Sequence, residues 1–338
     1  MFYKNDKASS VPGFFMSGGG AASLLALVCA VLPAQSVAQN FPNKPMKLIV
    51  TSSPGGPTDV LARPIAEKMG EILGRAVVVD NVPGGNTMIA AGRTIRGDAD
   101  GYTMFLASSS TLSLNPATRK NLPYDADKDF TPVVLVGANQ YVLAARSSLG
   151  ITKVSELVEL AKKNPGDVKY GMSVGAPAHF AALMLERSAG IEMMGVPYKD
   201  VASATKDLLV GDVDIVFAPL STVENLLDQK LGVNILGVAH KKRMAQLPNV
   251  PTLEEQGFKN VWGEAWYGVV LKSGSPDEAV TKLNHAINSA LKDEGVRERL
   301  VRAGLTIYGG TPQELDDYIK REAPVYKKIA QDANISID

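Results

Sequence analysis

After residue 40, short apolar runs alternate with stretches of helical period along almost the whole chain. The runs Lys47–Thr51, Ala76–Asp80, Thr103–Ala107, Val133–Val136, Tyr141–Ala144, Lys169–Met172, Ile215–Phe217, Ile235–Val238 and Gly268–Leu271 predict strands. Between them, Val154–Lys163, Ala178–Ala189, Ala202–Val210 and Lys282–Leu291 carry apolar residues at helical spacing. This alternation predicts an α/β fold of right-handed βαβ units, with doubly wound, mostly parallel sheets. Two later helix starts are marked by Ser275-Pro276-Asp277-Glu278 and Thr311-Pro312-Gln313-Glu314, each read as a hydroxyl N-cap, Pro at N1 and Glu at N3. Pro324 is expected to kink the last helix. The length predicts two domains, and no low-complexity linker separates them, so strands should join them and form a hinge.

Composition changes the picture at the N-terminus. Lys4 and Lys7 precede the apolar run Ala21–Leu32, Pro33 ends it, and Ser36-Val37-Ala38 supplies small residues. This pattern predicts a secretory signal peptide over residues 1–38 and a mature start at Gln39, hence an exported protein. The run is too short for a membrane span. Cys29 is the single cysteine, and the preceding Val28 is not the small residue that a lipid-attachment signal needs. The mature chain therefore has no thiol chemistry, no cysteine metal site and no disulfide, and must rest on its core. The histidines His179, His240 and His285 have no metal-like spacing. Without Lys4, Lys7 and Asp6, the 35 basic and 35 acidic residues become 33 and 34, a net charge of −1. With no basic block, nucleic acid is not an expected partner.

The candidate chemistry lies in the turns. Pro54-Gly55-Gly56-Pro57-Thr58 follows the first apolar run, and Pro83-Gly84-Gly85-Asn86-Thr87 follows the second. Each reads as strand, Gly-rich turn and helix start, a combination that can aim backbone N–H groups at an anion. Thr58 can cap the helix beginning near Asp59 or donate to a ligand. Neither turn holds Lys or Arg, so any anion would be held by neutral donors. An ordinary strand–helix turn is the alternative. No Lys follows the glycines as in a phosphate loop, and the third glycine of a dinucleotide fingerprint is missing. Ser108-Ser109-Ser110-Thr111 ends the third run, where open α/β sheets bind ligands; a polar capping loop fits equally.

Gly171-Met172-Ser173-Val174-Gly175 matches the nucleophile elbow of serine hydrolases, with Asp214 and His240 following in the order a triad needs. No oxyanion loop precedes it, and a turn presenting Ser173 and N–H groups to a ligand accounts for the same residues. His179 at the next helix start can donate to a carboxylate or pack against the core. Trp262 and Trp266 flank a strand start as pocket, hinge or core residues.

Several longer phrases then point one way. Pro54-Gly55-Gly56-Pro57-Thr58-Asp59-Val60-Leu61-Ala62-Arg63, Asp100-Gly101-Tyr102-Thr103, Leu122-Pro123-Tyr124-Asp125, Lys128-Asp129-Phe130, Val196-Pro197-Tyr198-Lys199 and Leu247-Pro248-Asn249-Val250-Pro251-Thr252 occur in order, with Glu255, Gly257 and Trp266 behind the last. Together they resemble the Bug-type periplasmic solute receptors of tripartite tricarboxylate transporters, over essentially the whole mature chain. The resemblance implies a two-domain periplasmic-binding-protein (Venus flytrap) fold. Domain one would comprise 39–141 and 265–338, domain two 142–264, with the hinge near 141–143 and 263–268.

It further implies a receptor that captures a small organic acid, a dicarboxylate of aliphatic or aromatic kind, for membrane permease subunits. It implies no catalytic residues, no cofactor, no metal and a monomer. One carboxylate would meet Ser53, Pro54, Gly55, Gly56, Thr58, Gly85, Asn86 and Thr87, with Asp59 at the helix N-terminus, or binding an ammonium if the ligand is an amino acid. Ser109, Ser110, Ser173, His179 and Ala218 would meet the far end. Two departures bear on the ligand: many relatives have Gly-Gly in place of Asn86-Thr87, and Gly in place of Asp200. A hydrolase using Ser173, or a sensory binding protein serving a signalling partner, are the competing functions.

Overall fold

A computed structural model describes residues 41–228 and 231–337. The signal-peptide reading, with Cys29 and Gln39, lies outside the described residues. The chain folds as β1 (Met46–Val50), α1 (Pro57–Leu73), β2 (Val77–Asn81), α2 (Met88–Ile95), β3 (Thr103–Ser108), α3 (Asn115–Thr118) and β4 (Phe130–Arg146). Then follow α4 (Val154–Lys163), β5 (Lys169–Met172), α5 (Pro177–Ala189), β6 (Met194–Pro197), α6 (Val201–Val210), β7 (Ile215–Pro219), α7 (Leu220–Asp228) and β8 (Val233–Val238). The last elements are β9 (Glu264–Lys272), α8 (Asp277–Lys292), α9 (Glu294–Arg302), β10 (Thr306–Ile307) and α10 (Pro312–Asp332).

Two parallel units, β2-β1-β3 and β6-β5-β7, are joined through antiparallel strands. β9 pairs antiparallel with β3 and with the first part of β4, and β10 adds to β4. β7 and β8 pair antiparallel with the second part of β4. The sheets are thus mixed: the parallel order expected for each lobe holds in its βαβ half, and the strands that run between lobes are antiparallel. β4 changes partner at Gln140–Tyr141, where Gln140 still faces Glu264 and Tyr141 already faces Pro219. The expected strands Val133–Val136 and Tyr141–Ala144 are therefore one strand shared by both lobes.

The unbroken run Leu48-Ile49-Val50 follows from burial on both faces. Leu48 and Val50 pack with Leu61, Ile65 and Met69 of α1 and Leu283 of α8, while Ile49 packs with Phe105, Trp266 and Val270. In the second lobe, Leu143, Tyr170, Phe180, Leu185 and Phe217 form one core, and Val142, Ala144, Leu208 and Val216 the other. α10 belongs to both lobes: Leu315 and Ile319 enter the core around Trp266, and Tyr326, Ile329 and Ala330 enter the core around Phe180.

The local signals fare unequally. Thr311 caps α10 as expected, in a reciprocal box with Glu314 behind Pro312. Ser275 does not cap α8: Pro276 holds the N-cap position, and the Ser275 hydroxyl donates to the Lys272 carbonyl at 2.8 Å. α10 continues as one helix through Pro324 to Asp332.

Candidate functional site

The first loop is built around a buried carboxylate. α1 begins at Pro57 with Gly56 as N-cap, so Asp59 falls in its first turn with its side chain turned back toward the loop. Its carboxylate accepts from Gly55 N–H at 2.8 Å, Asn81 Nδ2 at 2.8 Å, Arg63 Nε at 2.8 Å and Arg63 Nη2 at 2.7 Å. Chiefly through the Arg63 hydrogen bonds, its pKa falls to about 2. Four donors fill the roughly four lone-pair sites of a carboxylate, which leaves no place for a ligand ammonium. Asp59 is the clasp of this loop.

The two glycines serve different ends. Gly55 adopts a φ of 78°, and a Cβ there would meet nothing within 4 Å. Gly56 is fixed by space instead: a Cβ would lie 2.7 Å from Ser52 Cβ. Both amides are used internally, Gly55 by Asp59 and Gly56 by the Ser53 carbonyl at 2.9 Å. Thr58 neither caps the helix nor faces solvent. It is buried, and its hydroxyl donates to Ser52 Oγ at 2.8 Å, which in turn accepts from the Asp59 N–H. Ser53, Pro54 and Gly55 are the exposed surface of the loop.

The second loop explains why glycines suit it. Gly84, Gly85, Asn86 and Thr87 have φ of 113°, 57°, 46° and 76°. A β-branched residue at positive φ is rare and costs about 1–3 kcal/mol. The side chains of Asn86 and Thr87 do not hang into open space. Asn86 Nδ2 donates to Asn115 Oδ1 at 2.8 Å, Asn115 Nδ2 donates back to the Asn86 carbonyl at 2.9 Å, and Thr111 Oγ1 donates to Thr87 Oγ1 at 2.9 Å. Tyr124 closes this network by donating to the Thr111 carbonyl at 2.7 Å. Thr87→Val should therefore destabilise by about 2 kcal/mol, because it keeps the strained backbone and leaves the buried Thr111 hydroxyl only a long 3.5 Å contact with Ser108 Oγ. Thr87→Gly loses the same bond but relieves the strain, so urea unfolding should show a clearly smaller loss. Equal losses would contradict this account.

Beyond β3 the chain makes a π-helical turn, Ser110–Leu114, a rare local form enriched at functional sites. Of the expected hydroxyls there, Ser108, Ser109 and Thr111 are buried, and only Ser110 is partly exposed.

The loop after β5 repeats the first loop in a disguised form. Gly175 has a φ of 74°, and its N–H donates at 3.2 Å to Nδ1 of His179, in the first turn of α5 behind Pro177. The Ala176 N–H donates to the Ser173 carbonyl at 3.0 Å, as Gly56 does to Ser53. Ser53-x-Gly55-x-Pro57-x-Asp59 and Ser173-x-Gly175-x-Pro177-x-His179 are thus equivalent turns, each at the carboxyl end of a parallel strand. His179 is the clasp of the second. It is buried beside Tyr170 and Phe180, and burial lowers its pKa to about 4, so it is neutral: Nδ1 is spent on the Gly175 N–H and the one ring proton lies on Nε2. Ser173 is partly exposed, and its hydroxyl reaches the Lys199 carbonyl at 3.5 Å. Ala218 is fully buried in the core around Val142 and Val216.

A family model described as the tripartite tricarboxylate transporter family receptor matches residues 61–335. The chain belongs to this receptor family. It is 33% identical, over 86% of each chain, to a protein of the tcbD-tcbE intergenic region of Pseudomonas sp. strain P51. Among solved structures it resembles R. palustris Rpa4515 with adipate, with a TM-score of 0.74 and 31% identity over 88% of this chain and 99% of that one. It also resembles MatC of Rhodopseudomonas palustris with bound malate, with a TM-score of 0.70 and 28% identity over 86% and 99%.

The receptor is a two-domain solute-binding protein, not an enzyme, and the candidate triad agrees. Asp214 is engaged by Arg146 Nε and by the Lys169 N–H, both at 2.8 Å. His240 Nδ1 accepts from the Lys242 N–H at 3.2 Å, and His285 is exposed on α8. None of them contacts Ser173. Among the described residues, no group of three or more His, Cys, Asp or Glu is placed to hold a metal, and no helix is long and apolar enough to cross a membrane.

Proposed function

We propose that the receptor captures a small organic acid, a dicarboxylate, between its two equivalent loops and delivers it in the periplasm to a membrane permease. The observation that carries this reading is the repeated Ser-x-Gly-x-Pro turn, clasped by Asp59 in one lobe and His179 in the other. Both clasps are spent inside their own loops, so neither offers a free charge to the cleft. The net charge of loop one is cancelled by Arg63, which removes the objection that Asp59 would repel an anion. Ser53 and the exposed rim of loop one, with Gly85, Asn86 and Thr87 beside it, would take one carboxylate; Ser110 and Ser173 would take the other. Hydrogen bonds to a charged group contribute about 1.5–3 kcal/mol each. A few of them suffice for micromolar affinity, about −8 kcal/mol, after association costs.

The lobes are taken as 39–141 with 265–338 and 142–264, hinged where β4 changes partner and where Tyr141 N–H donates to the Gly263 carbonyl at 2.9 Å. A ligand touching both lobes only in the closed form would shift the equilibrium toward closure. The receptor would act as a monomer without cofactor.

A thermal-shift screen of malate, adipate, citrate and terephthalate tests the ligand class. A true ligand at 100 times its Kd adds about 2.7 kcal/mol of stability. An identical scattering profile with and without that ligand would remove the closure step. Silence from every acid at millimolar concentration would remove the organic-acid reading.

A further inference from the structure

The equivalent turns differ in what covers their left-handed glycines. A Cβ at Gly55 would enter open space, whereas one at Gly175 would collide with Cδ1 of Ile337 and lie 3.9 Å from Cγ2 of Thr118. Ile337 is held in place from the other lobe. Its N–H donates to the Thr118 carbonyl at 2.9 Å, and its carbonyl accepts from Arg119 Nη1 at 2.8 Å. Thr118 is itself buried, with its hydroxyl on the Leu114 carbonyl at 2.8 Å. Arg119 keeps its Nε buried without a hydrogen-bond partner. Just upstream, Ile335 donates its N–H to the Ala330 carbonyl at 2.8 Å and packs against the core around Phe180.

The segment after α10 thus links the chain that leaves β3, which carries Ser110, to the turn that carries Ser173. We propose that Ile337 and Arg119 are positioning residues of the receptor, pinning the Ser173–Ala176 turn against the end of α3. The two halves of the clamp are then unequal. The second turn is covered from the other lobe as well as clasped by His179, and the first, uncovered at Gly55, is held by its Asp59 clasp alone. This rests on the reading of Gly171–His179 as ligand-facing, and the pinning itself is measured without ligand.

Hydrogen exchange on the ligand-free receptor tests it. In Ile337→Ala and Arg119→Ala, amides of 171–180 should exchange about tenfold faster, as expected when a loop loses the contacts that hold it closed. Amides of 51–60 should not change. Ile337→Leu and Arg119→Lys, which keep an apolar cover and a donor, should restore the parent rates. With adipate as probe, dissociation from Ile337→Ala should be about tenfold faster, since loss of preformed contacts acts mostly on the off-rate. Unchanged exchange in 171–180, or equal acceleration in both segments, overturns the proposal. If adipate binds neither parent nor variant, the organic-acid reading loses support for this probe, while the exchange rates still decide the pinning.

Discussion

Asp59→Ala should be among the most damaging single substitutions in the binding loops, although Asp59 itself is only 2% exposed. The side chain is the common acceptor for Gly55, Asn81 and Arg63, and through Gly55 it sets the left-handed turn. Alanine leaves the Gly55 N–H without its acceptor and removes one of the two acceptors of the Asn81 amide, which keeps the Ser52 carbonyl at 2.8 Å. Arg63, half exposed, returns to water at little cost. Gly55 lies at the exposed rim and Asn81 is half-buried, so the loss falls at the low end of the roughly 1–3 kcal/mol for an orphaned group, about 1 kcal/mol each and about 2 kcal/mol in all. The loop should then sample other conformations, and affinity for the ligand found by screening should fall about 100-fold, or about 2.7 kcal/mol. Asp59→Asn should fall between, because an amide offers one acceptor oxygen and turns an NH₂ toward Arg63 or Asn81.

The pH dependence has a definite sign. The folded pKa lies at about 2, below the ordinary carboxylate value of 3.8. The stabilisation is therefore complete above about 4 and is lost as pH falls through 2. Urea unfolding and calorimetric titration of the variant check both parts. An Asp59→Ala protein with parental stability and parental affinity would show that the clasp is incidental.

The equivalence of the two clasps also shows what could and could not be read from the sequence. The phrase Pro-Gly-Gly-x-Thr repeats between two turns of the same lobe. The structural repeat lies elsewhere, in Ser-x-Gly-x-Pro followed by an acceptor. Asp59 and His179 share a role because each offers a lone pair to a glycine N–H, and residue identity does not show that. The helix-start pattern around Thr311 was legible because capping is local. The Ser275 pattern differed only in which residue took the N-cap, a matter decided by the backbone leaving β9. β6, Met194–Pro197, escaped notice because it is a half-exposed edge strand without an apolar run. β4 was split because Gly137 interrupts its apolar pattern. A Cβ at Gly137 would strike the Thr306 carbonyl, so that glycine is dictated by β10, a two-residue strand with almost no signal of its own.

The second large effect belongs to Glu322, and it should make the receptor less stable as pH rises from 5 to 8. Glu322 is 4% exposed on α10, between Ile319 in one core and Tyr326 in the other. It accepts from Trp266 Nε1 and from the Tyr326 hydroxyl at 2.9 Å. Close by, the equally buried Glu264 accepts from the Tyr318 and Tyr308 hydroxyls, with His240 Nε2 at 3.9 Å. Burial, and to a lesser degree the charge of Glu264, push the Glu322 pKa up to about 7, against the hydrogen bonds that favour its charged form.

A carboxyl raised from 4.5 to about 7 binds its proton more tightly in the folded state. Its stabilisation is fully present below about 4.5 and is lost as pH rises through 7, on the order of 3 kcal/mol. His179 works oppositely: its lowered pKa contributes stability above 6.5 that is lost as pH falls toward 4. The parent profile is the sum of both, so the informative quantity is the difference from Glu322→Gln, which keeps an acceptor oxygen and cannot ionise. That difference should be small at pH 5 and should favour the variant by on the order of 3 kcal/mol at pH 8. Parallel stability curves for parent and variant across this range would mean that Glu322 is ionised in the folded receptor. The junction between the lobes would then hold a buried Glu322 carboxylate beside Glu264, whose Oε2 lies 3.9 Å from His240 Nε2.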